Sequence, residues 1–504
     1  MTWLFGGLLS ITELRRRDIL SAKDVLPAAG VWYGVSIGVA LIFWLIHAGT
    51  LLSLGSIIQA TQITTLEQYA QRVNELLKLA ETVGSLLVTL YVAVFLLMLG
   101  VAAASMNQAR TWLGKSASDW GLAAILPVAI GVLVLVTTTN LNAIRADTIY
   151  KQAEPLRAQG QWDVAIAHYK RVLELAPDED FYYLWLGAAY LEKASQAPEG
   201  QSILATTGNL SGILKLTFQQ SYSLSRQDSL LAAKTVLENA RTLNPLNTDH
   251  SANLARLYRR WADLYAADPA VRKDRLEQAD AQYKIATTLS PNNAILWNEW
   301  STVLMARADV ARGAGDTAGA EALIAEAQAK LDQSLALDQQ FEQTYLIRAQ
   351  LARSQGQTDE ARRNYDLAMK WNPGSTDAWG GLTDMLVAQG NYTEVETVTL
   401  AYLQDHPDFL PGLRTLARNV YFPQNRLAEA LATQQRVVQV GANDPNVYDD
   451  HRVLAILLAQ TGQLELALQE AQLALSKAPQ DKQAEINSLI TQLQGSLGVT
   501  TPVT

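Results

Sequence analysis

Residues Ala153–Pro177 read AEPLRAQGQWDVAIAHYKRVLELAP, and their spacing decides the fold. Ala153 and Ala165 stand where two helices must approach closely, with Leu156 and the aromatics Trp162 and Tyr169 filling the gaps. Gly160 permits the turn between the helices, and Pro177 ends the second. The same skeleton returns as Ala255, Tyr258, Ala279, Tyr283, Ala286 and Pro291, then as Ala349, Gly356, Ala361, Tyr365, Ala368 and Pro373. Residues 146–479 spell it about eight times at a period of about 34 residues, ending near Pro177, Pro245, Pro291, Gln339, Pro373, Pro407, Pro445 and Pro479. A helix pair that cannot bury its apolar face alone buries it against the next pair, so an all-α solenoid of about eight helix pairs is expected over residues 145–496. In the sixth repeat Thr383 and Val395 replace small residues, which predicts looser packing there. Asp481–Gln494, with Ala484, Ile486, Leu489, Ile490 and Leu493 apolar, reads as a terminal capping helix, and 497–504 as a disordered tail.

The balance of the chain is too apolar for such a solenoid alone. Of its 504 residues 49% are hydrophobic and only 18% charged, so part of it is expected to face lipid. No charge occurs from Leu26 to Leu66, and three uncharged runs, 31–58, 82–108 and 120–143, each exceed the roughly 20 residues a bilayer requires. Residues 1–144 therefore read as a membrane domain with three N-terminal transmembrane helices. Trp32, Tyr33 and Trp120 lie near span ends, where amphipathic rings favour the headgroup layer. Gly34 and Gly38 have the small-xxx-small spacing that brings membrane helices together, and His47, in the middle of the first span, needs a polar partner or stays neutral. Self-association is one use of that spacing. The Arg15–Arg17 cluster before the first span favours a cytoplasmic N-terminus, which puts the repeats outside the cytoplasm.

Two further segments carry expectations. Leu66, Tyr69, Val73, Leu76, Leu77 and Ala80 recur at helical spacing around Glu67, Glu75, Lys78 and Glu81. This pattern predicts an amphipathic helix resting on the membrane surface or extending the second span. The second repeat opens at Tyr183, Leu186, Gly187 and Tyr190, yet its second helix resumes only near Asp228. That leaves an insertion at 195–227, read as a partner contact, a fold onto the stack, a contact with the membrane surface close to the third span, or a tolerated loop.

The recurring skeleton resembles the tetratricopeptide repeat family over about two thirds of the chain. In that family the first helix of each pair lines a concave groove. The outward positions carried over are Asn253, Arg256, Arg259, Asn298, Gln350, Arg353, Arg414 and Arg418, with Thr302 beside them. Amide and guanidinium donors suit carboxylates, phosphates, sugar hydroxyls or the backbone of an extended peptide. The runs Asn244–Trp261 and Ser290–Trp300 also look like the C-terminal half of bacterial O-antigen ligase/polymerase-like membrane proteins. That likeness implies a cell-envelope setting and a glycan-lipid pathway partner, but three spans and short loops would leave the polymerising half missing or supplied by another polypeptide.

Little else suggests chemistry. There is no cysteine, and the five histidines, His47, His168, His250, His406 and His451, form no i, i+4 pair or HExxH motif. Neither GxxxxGK[ST] nor GxSxG is present, and a net charge of −9 argues against nucleic acid. No catalytic residue, metal or cofactor is expected. The sequence thus points to a membrane-anchored, non-enzymatic scaffold in the bacterial envelope that holds a protein or glycan-pathway partner. An accessory half of an O-antigen ligase or polysaccharide polymerase is the alternative.

Overall fold

The computed structural model describes residues 141–204 and 209–498, residues 65–78 with Glu81, and scattered positions between 15 and 49. The expected spans at 82–108 and 120–140 lie outside the described residues, as do His47, most of 31–58, and 499–504 of the tail. Among the described residues no helix is long and apolar enough to cross a membrane, and there is no strand.

Two compact units divide the chain, Met1–Ser290 and Pro291–Thr504. In the first, α1 (Asn142–Ala158) pairs with α2 (Trp162–Leu175), α3 (Asp180–Gln196) with α6 (Arg226–Leu243), and α7 (Thr248–Leu264) with α8 (Pro269–Leu289). Two short helices, α4 (Leu210–Lys215) and α5 (Phe218–Tyr222), stand between α3 and α6. In the second unit α9 (Ala294–Gly313) pairs with α10 (Thr317–Leu337), α11 (Glu342–Ser354) with α12 (Thr358–Trp371), and α13 (Thr376–Ala388) with α14 (Tyr392–Asp405). Next, α15 (Leu410–Arg414) runs into a π-helical stretch, Thr415–Tyr421, which packs on α16 (Leu427–Val440). Last come α17 (Val447–Gln460), α18 (Leu464–Lys477) and the single helix α19 (Gln483–Ser496).

Six of the eight first helices are closed by the same device, at Gly160, Gly315, Gly356, Gly390, Asn425 and Gly462, while α3 and α7 end without a left-handed residue. At Gly160, with φ +71°, the backbone turns left-handed; its N–H donates to Arg157 O at 3.0 Å, and the next N–H, of Gln161, reaches Leu156 O at 2.9 Å. These two bonds satisfy carbonyls that the helix end would otherwise leave open. The next helix then runs back along the first, and the small residues let the backbones meet. All the skeleton alanines, Ala153, Ala165, Ala255, Ala279, Ala286, Ala349, Ala361 and Ala368, have 0% exposure. In the sixth pair α13 and α14 touch less than the helices of the other pairs do, as the larger Thr383 and Val395 predict. Val395 is wholly buried, and the buried Thr383 hydroxyl donates back to Trp379 O at 2.9 Å, so its polar atom costs nothing unpaired.

The insertion folds onto the first unit. Asp228, with no exposure, accepts from the backbone N–H groups of Ile203 at 2.9 Å and Leu204 at 3.2 Å and from the Ser202 hydroxyl. Thr217 and Gln220 form a capping box at the start of α5. The buried Lys193 ammonium donates to Asp163 Oδ1 at 2.5 Å and to Tyr222 O at 2.9 Å, which fixes α5 against the first two pairs.

The helix at 66–78 is also placed differently from the membrane-surface expectation. Thr65 and Gln68 exchange side-chain and backbone bonds at its start, at 3.2 and 3.3 Å. Its apolar stripe turns toward protein: Val73 is 1% exposed and Ala70 4%. The Tyr69 ring meets Phe218 edge-on at 5.2 Å and Tyr222 at 6.0 Å, and Glu81 pairs with Arg171 of α2. An amphipathic stripe requires an apolar surface, and here the insertion and α2 supply it.

Candidate functional site

The first helices of the seventh and eighth pairs meet through a cluster of charges. Asp450, at 0% exposure on α17, accepts from Arg414 through Nε at 2.9 Å and Nη2 at 2.5 Å, and from Arg418 Nη2. Its backbone carbonyl takes the Gln434 amide at 2.8 Å. Arg418 Nη1 donates to Asp449 Oδ2 at 2.7 Å, and Arg452 donates to Asp449 Oδ1 at 2.7 and 2.9 Å. Asp444 and Glu485 complete the group, 3.3 Å from Arg414 and Arg452 respectively. Burial works to raise the Asp449 carboxyl, but Arg452 and Arg418 outweigh it and hold it below the ordinary carboxylate range. Hydrogen bonding to Asp450 pushes the Arg414 guanidinium up.

Beside this cluster lies a cavity of about 250 Å³, walled by Ala417, Phe422, Val453, Ile456 and Leu457, with Arg418 and Arg452 at its rim. Phe422 is 38% exposed. A pocket with apolar walls and a few polar groups at the mouth can receive one large apolar side chain and orient the chain that carries it.

The predicted groove residues are distributed unevenly. In the first unit Asn253 Nδ2 donates to Asp249 O at 2.8 Å, Arg259 pairs with Asp263 at 3.1 Å, and Arg256 is half-buried on the same helix. In the second unit Gln350 and Arg353 lie exposed on α11, with Arg353 Nη1 3.3 Å from the Tyr365 hydroxyl. Asn298 is buried, donating to Thr344 Oγ1 at 2.9 Å, so it does not reach solvent. Arg414 and Arg418 are committed to Asp450 and do not form an open strip of guanidinium donors. The partners of those arginines, Asp444, Asp449, Asp450 and Gln434, the neighbouring Arg452, and the pocket residues Phe422 and Ile456 were not singled out from the sequence. Gly34 and Gly38 stand where an added Cβ would meet nothing within 4 Å among the described residues.

The histidines within the described residues are held by neighbours in the fold. His168 shares a bond of 2.8 Å with Val164 O, His250 one of 2.5 Å with Asp180, and His451 one of 2.6 Å with Glu470; His406 stacks on Tyr402 at 4.6 Å.

A family model described as TPR repeat matches residues 155–193, and one described as tetratricopeptide repeat matches 352–419. The chain thus carries tetratricopeptide repeats in both units. Among solved structures it is similar to a thermophilic TPR protein of Thermus thermophilus (20% identity, 48% of this chain and 99% of that one, TM-score 0.33). It is also similar to Pseudomonas aeruginosa pilF (14%, 53% and 93%, 0.32) and to YrrB, described as a TPR protein with an unusual peptide-binding site (16%, 41% and 97%, 0.30). No curated protein matches. These matches give no support to the ligase/polymerase likeness of Asn244–Trp261 and Ser290–Trp300. Both runs open on the turn between repeats, where the Asn247 and Asn293 side chains accept from Asp249 N at 3.0 Å and Ile295 N at 3.1 Å to cap α7 and α9. Helix capping gives these two asparagines a structural role in the repeats.

Proposed function

We propose that this protein is a membrane-anchored scaffold whose repeats hold a protein partner. The observation that carries the reading is the open apolar pocket of Phe422, Val453, Ile456 and Leu457 beside first helices tied together by ion pairs. A surface with an apolar socket suits capture of an anchoring side chain from an extended or helical segment, with Arg418 and Arg452 near its backbone carbonyls. Exposed Gln350 and Arg353 would extend contact along the same unit. The three uncharged runs at 31–58, 82–108 and 120–143 supply the anchor, and the Arg15–Arg17 cluster favours display of the repeats on the extracytoplasmic side of a bacterial membrane.

The test is co-purification of the full chain from detergent extracts, wild type against Ile456→Glu. Charge in the socket is expected to release the partner while the chain stays folded, and equal capture by the two would overturn the pocket as the site. A glycosyl-carrier enzyme among the captured proteins would favour the accessory-subunit alternative, and a non-enzymatic assembly the scaffold. Recovery of the chain in buffer without detergent would remove the anchor.

A further inference from the structure

The helix at 66–78 and the repeats touch, and the stretch of sequence between them is the one that carries two of the expected spans. We infer that the 66–78 helix is a strap seated on the first repeat pair and the insertion, on the same side of the membrane as the repeats. The run 82–108 and the part of the run 120–143 that precedes Leu141 then cross as a hairpin. This placement rests on the membrane anchoring proposed above, whose three crossings already call for one side, and adds to it an independent reason for that side and the fixed seat of the repeat base.

The seat is specific. Tyr69 enters between Phe218 and Tyr222, Val73 is covered, and Glu81 holds Arg171. Lys170 donates to Leu216 O and so ties α2 to the insertion beside the strap, while burial pushes its ammonium down to about 8. Val73, Asn74 and Leu77 form one wall of a cavity of about 420 Å³ whose other walls are α2 and the insertion. A helix of this length is marginal in water without a partner surface. The same stripe cannot be buried against α2 and immersed in lipid at once, so the seat excludes the surface-lying arrangement.

Parity follows from the contact. The chain leaves this seat at Glu81 and returns to the same unit at Leu141, which is buried at the head of α1. A segment that departs from and returns to one body crosses the intervening bilayer an even number of times. Residues 82–140 hold two apolar runs of spanning length separated by the polar stretch that contains Arg110 and Lys115. Two crossings satisfy the count whichever way the whole domain is oriented. The positive-inside balance is close to even, but same-side placement does not depend on it.

The absence of native cysteine makes the test direct. Single variants Glu67→Cys, Asp359→Cys and Ser116→Cys are made in the full chain, and sealed vesicles of both orientations are treated with a membrane-impermeant maleimide. The Glu67 and Asp359 variants are expected to label from one face and the Ser116 variant from the other. Opposite faces for the first two would overturn the same-side placement while leaving the anchor intact. All three on one face, in membrane-bound protein, would overturn the hairpin. Chain found free of the vesicles would instead overturn the anchoring reading beneath both. The double variant Tyr69→Cys with Phe218→Cys is expected to form an intramolecular adduct with a short bismaleimide. Its failure with same-face labelling intact would overturn the strap.

Discussion

Asp450 decides whether Arg414 and Arg418 are structural or serve a ligand. The carboxylate is fully buried and receives three guanidinium hydrogen bonds, two from Arg414 and one from Arg418. Removing one partner of a buried ion pair costs about 3–5 kcal/mol. The lower end applies here, because the two guanidinium side chains keep 24% and 23% exposure, and Asp444 and Asp449 still face them. Asp450→Ala is therefore expected to lower the local opening free energy of α17 and the π-helical stretch by about 3 kcal/mol, and Arg414→Ala by about 2 kcal/mol. The double variant should lose less than the sum by about 1.5–3 kcal/mol, since the second change removes a group already stranded. Amide hydrogen exchange on the intact chain reads this directly, because a repeat protein opens locally and a single global melt would blur the effect. Additivity within about 0.5 kcal/mol, or unchanged protection in Asp450→Ala, would refute the structural role. Loss of partner capture with unchanged protection would show that the arginines serve the ligand.

Three further outcomes are expected. Gly187→Ala would place a Cβ 2.5 Å from Leu237 Cγ; overpacking of about 1–3 kcal/mol outweighs the helix-propensity gain of about 1 kcal/mol, so exchange protection in α3 and α6 falls, and Leu237→Ala in the same chain should recover part of it. Asn425 has φ +56°; Asn425→Ala should lower the local opening free energy read by amide exchange in the seventh pair by about 1 kcal/mol, and Asn425→Gly should be neutral or stabilising. Burial holds the His168 imidazole below its ordinary value, against the pull of the Val164 carbonyl. The unfolded chain therefore binds a proton that the folded chain refuses, and stability present above the unfolded value is lost as pH falls from neutral through 6.5 toward the folded value. His168→Gln should flatten that slope in the opening free energy of α2, read by amide exchange between about pH 5 and 7.5, and an unchanged slope would refute it.

The repeat skeleton was legible because it is a packing rule: where two helix backbones touch, only a small side chain fits, and Ala165, Ala279 and Ala361 are each wholly enclosed. The role of the surface arginines was not legible from one helix, since their partners stand about one repeat away. Arg414 meets Asp450 at 36 residues' separation, Arg362 meets Glu394 at 32, and Lys193 meets Asp163 at 30. Opposite charges at that interval are the signal that would have assigned them. The insertion and the strap each carried a start signal of the Thr-x-x-Gln type, at Thr217–Gln220 and Thr65–Gln68. What joined them, aromatic contact across 149 residues between Tyr69 and Phe218, has no local trace in either segment.

The pocket itself traces to a single added residue. From Gly356 to Gly390, both left-handed closures, the count is 34, but from Gly390 to Asn425, the equivalent closure, it is 35. The excess lies after Pro407, because Pro373 to Gly390 spans 17 and Pro407 to Asn425 spans 18. It therefore falls in the first helix of the seventh pair, where Thr415–Tyr421 widens into a π-helix and Phe422 N–H bonds Ala417 O at 3.2 Å. An α-helix carrying one more residue would turn everything beyond it by about 100°. The π-helix absorbs that turn and leaves the Tyr421–Arg426 closure, with its N–H to O bond of 2.9 Å, in the place of its counterparts. Arg414 and Arg418 reach α17 from one side of the widened turn, while Phe422 emerges beyond it as the pocket wall. Helix widenings of this kind persist where a site uses them, since they give up regular hydrogen bonding. The repeat rule is therefore broken at the segment that also presents the open socket.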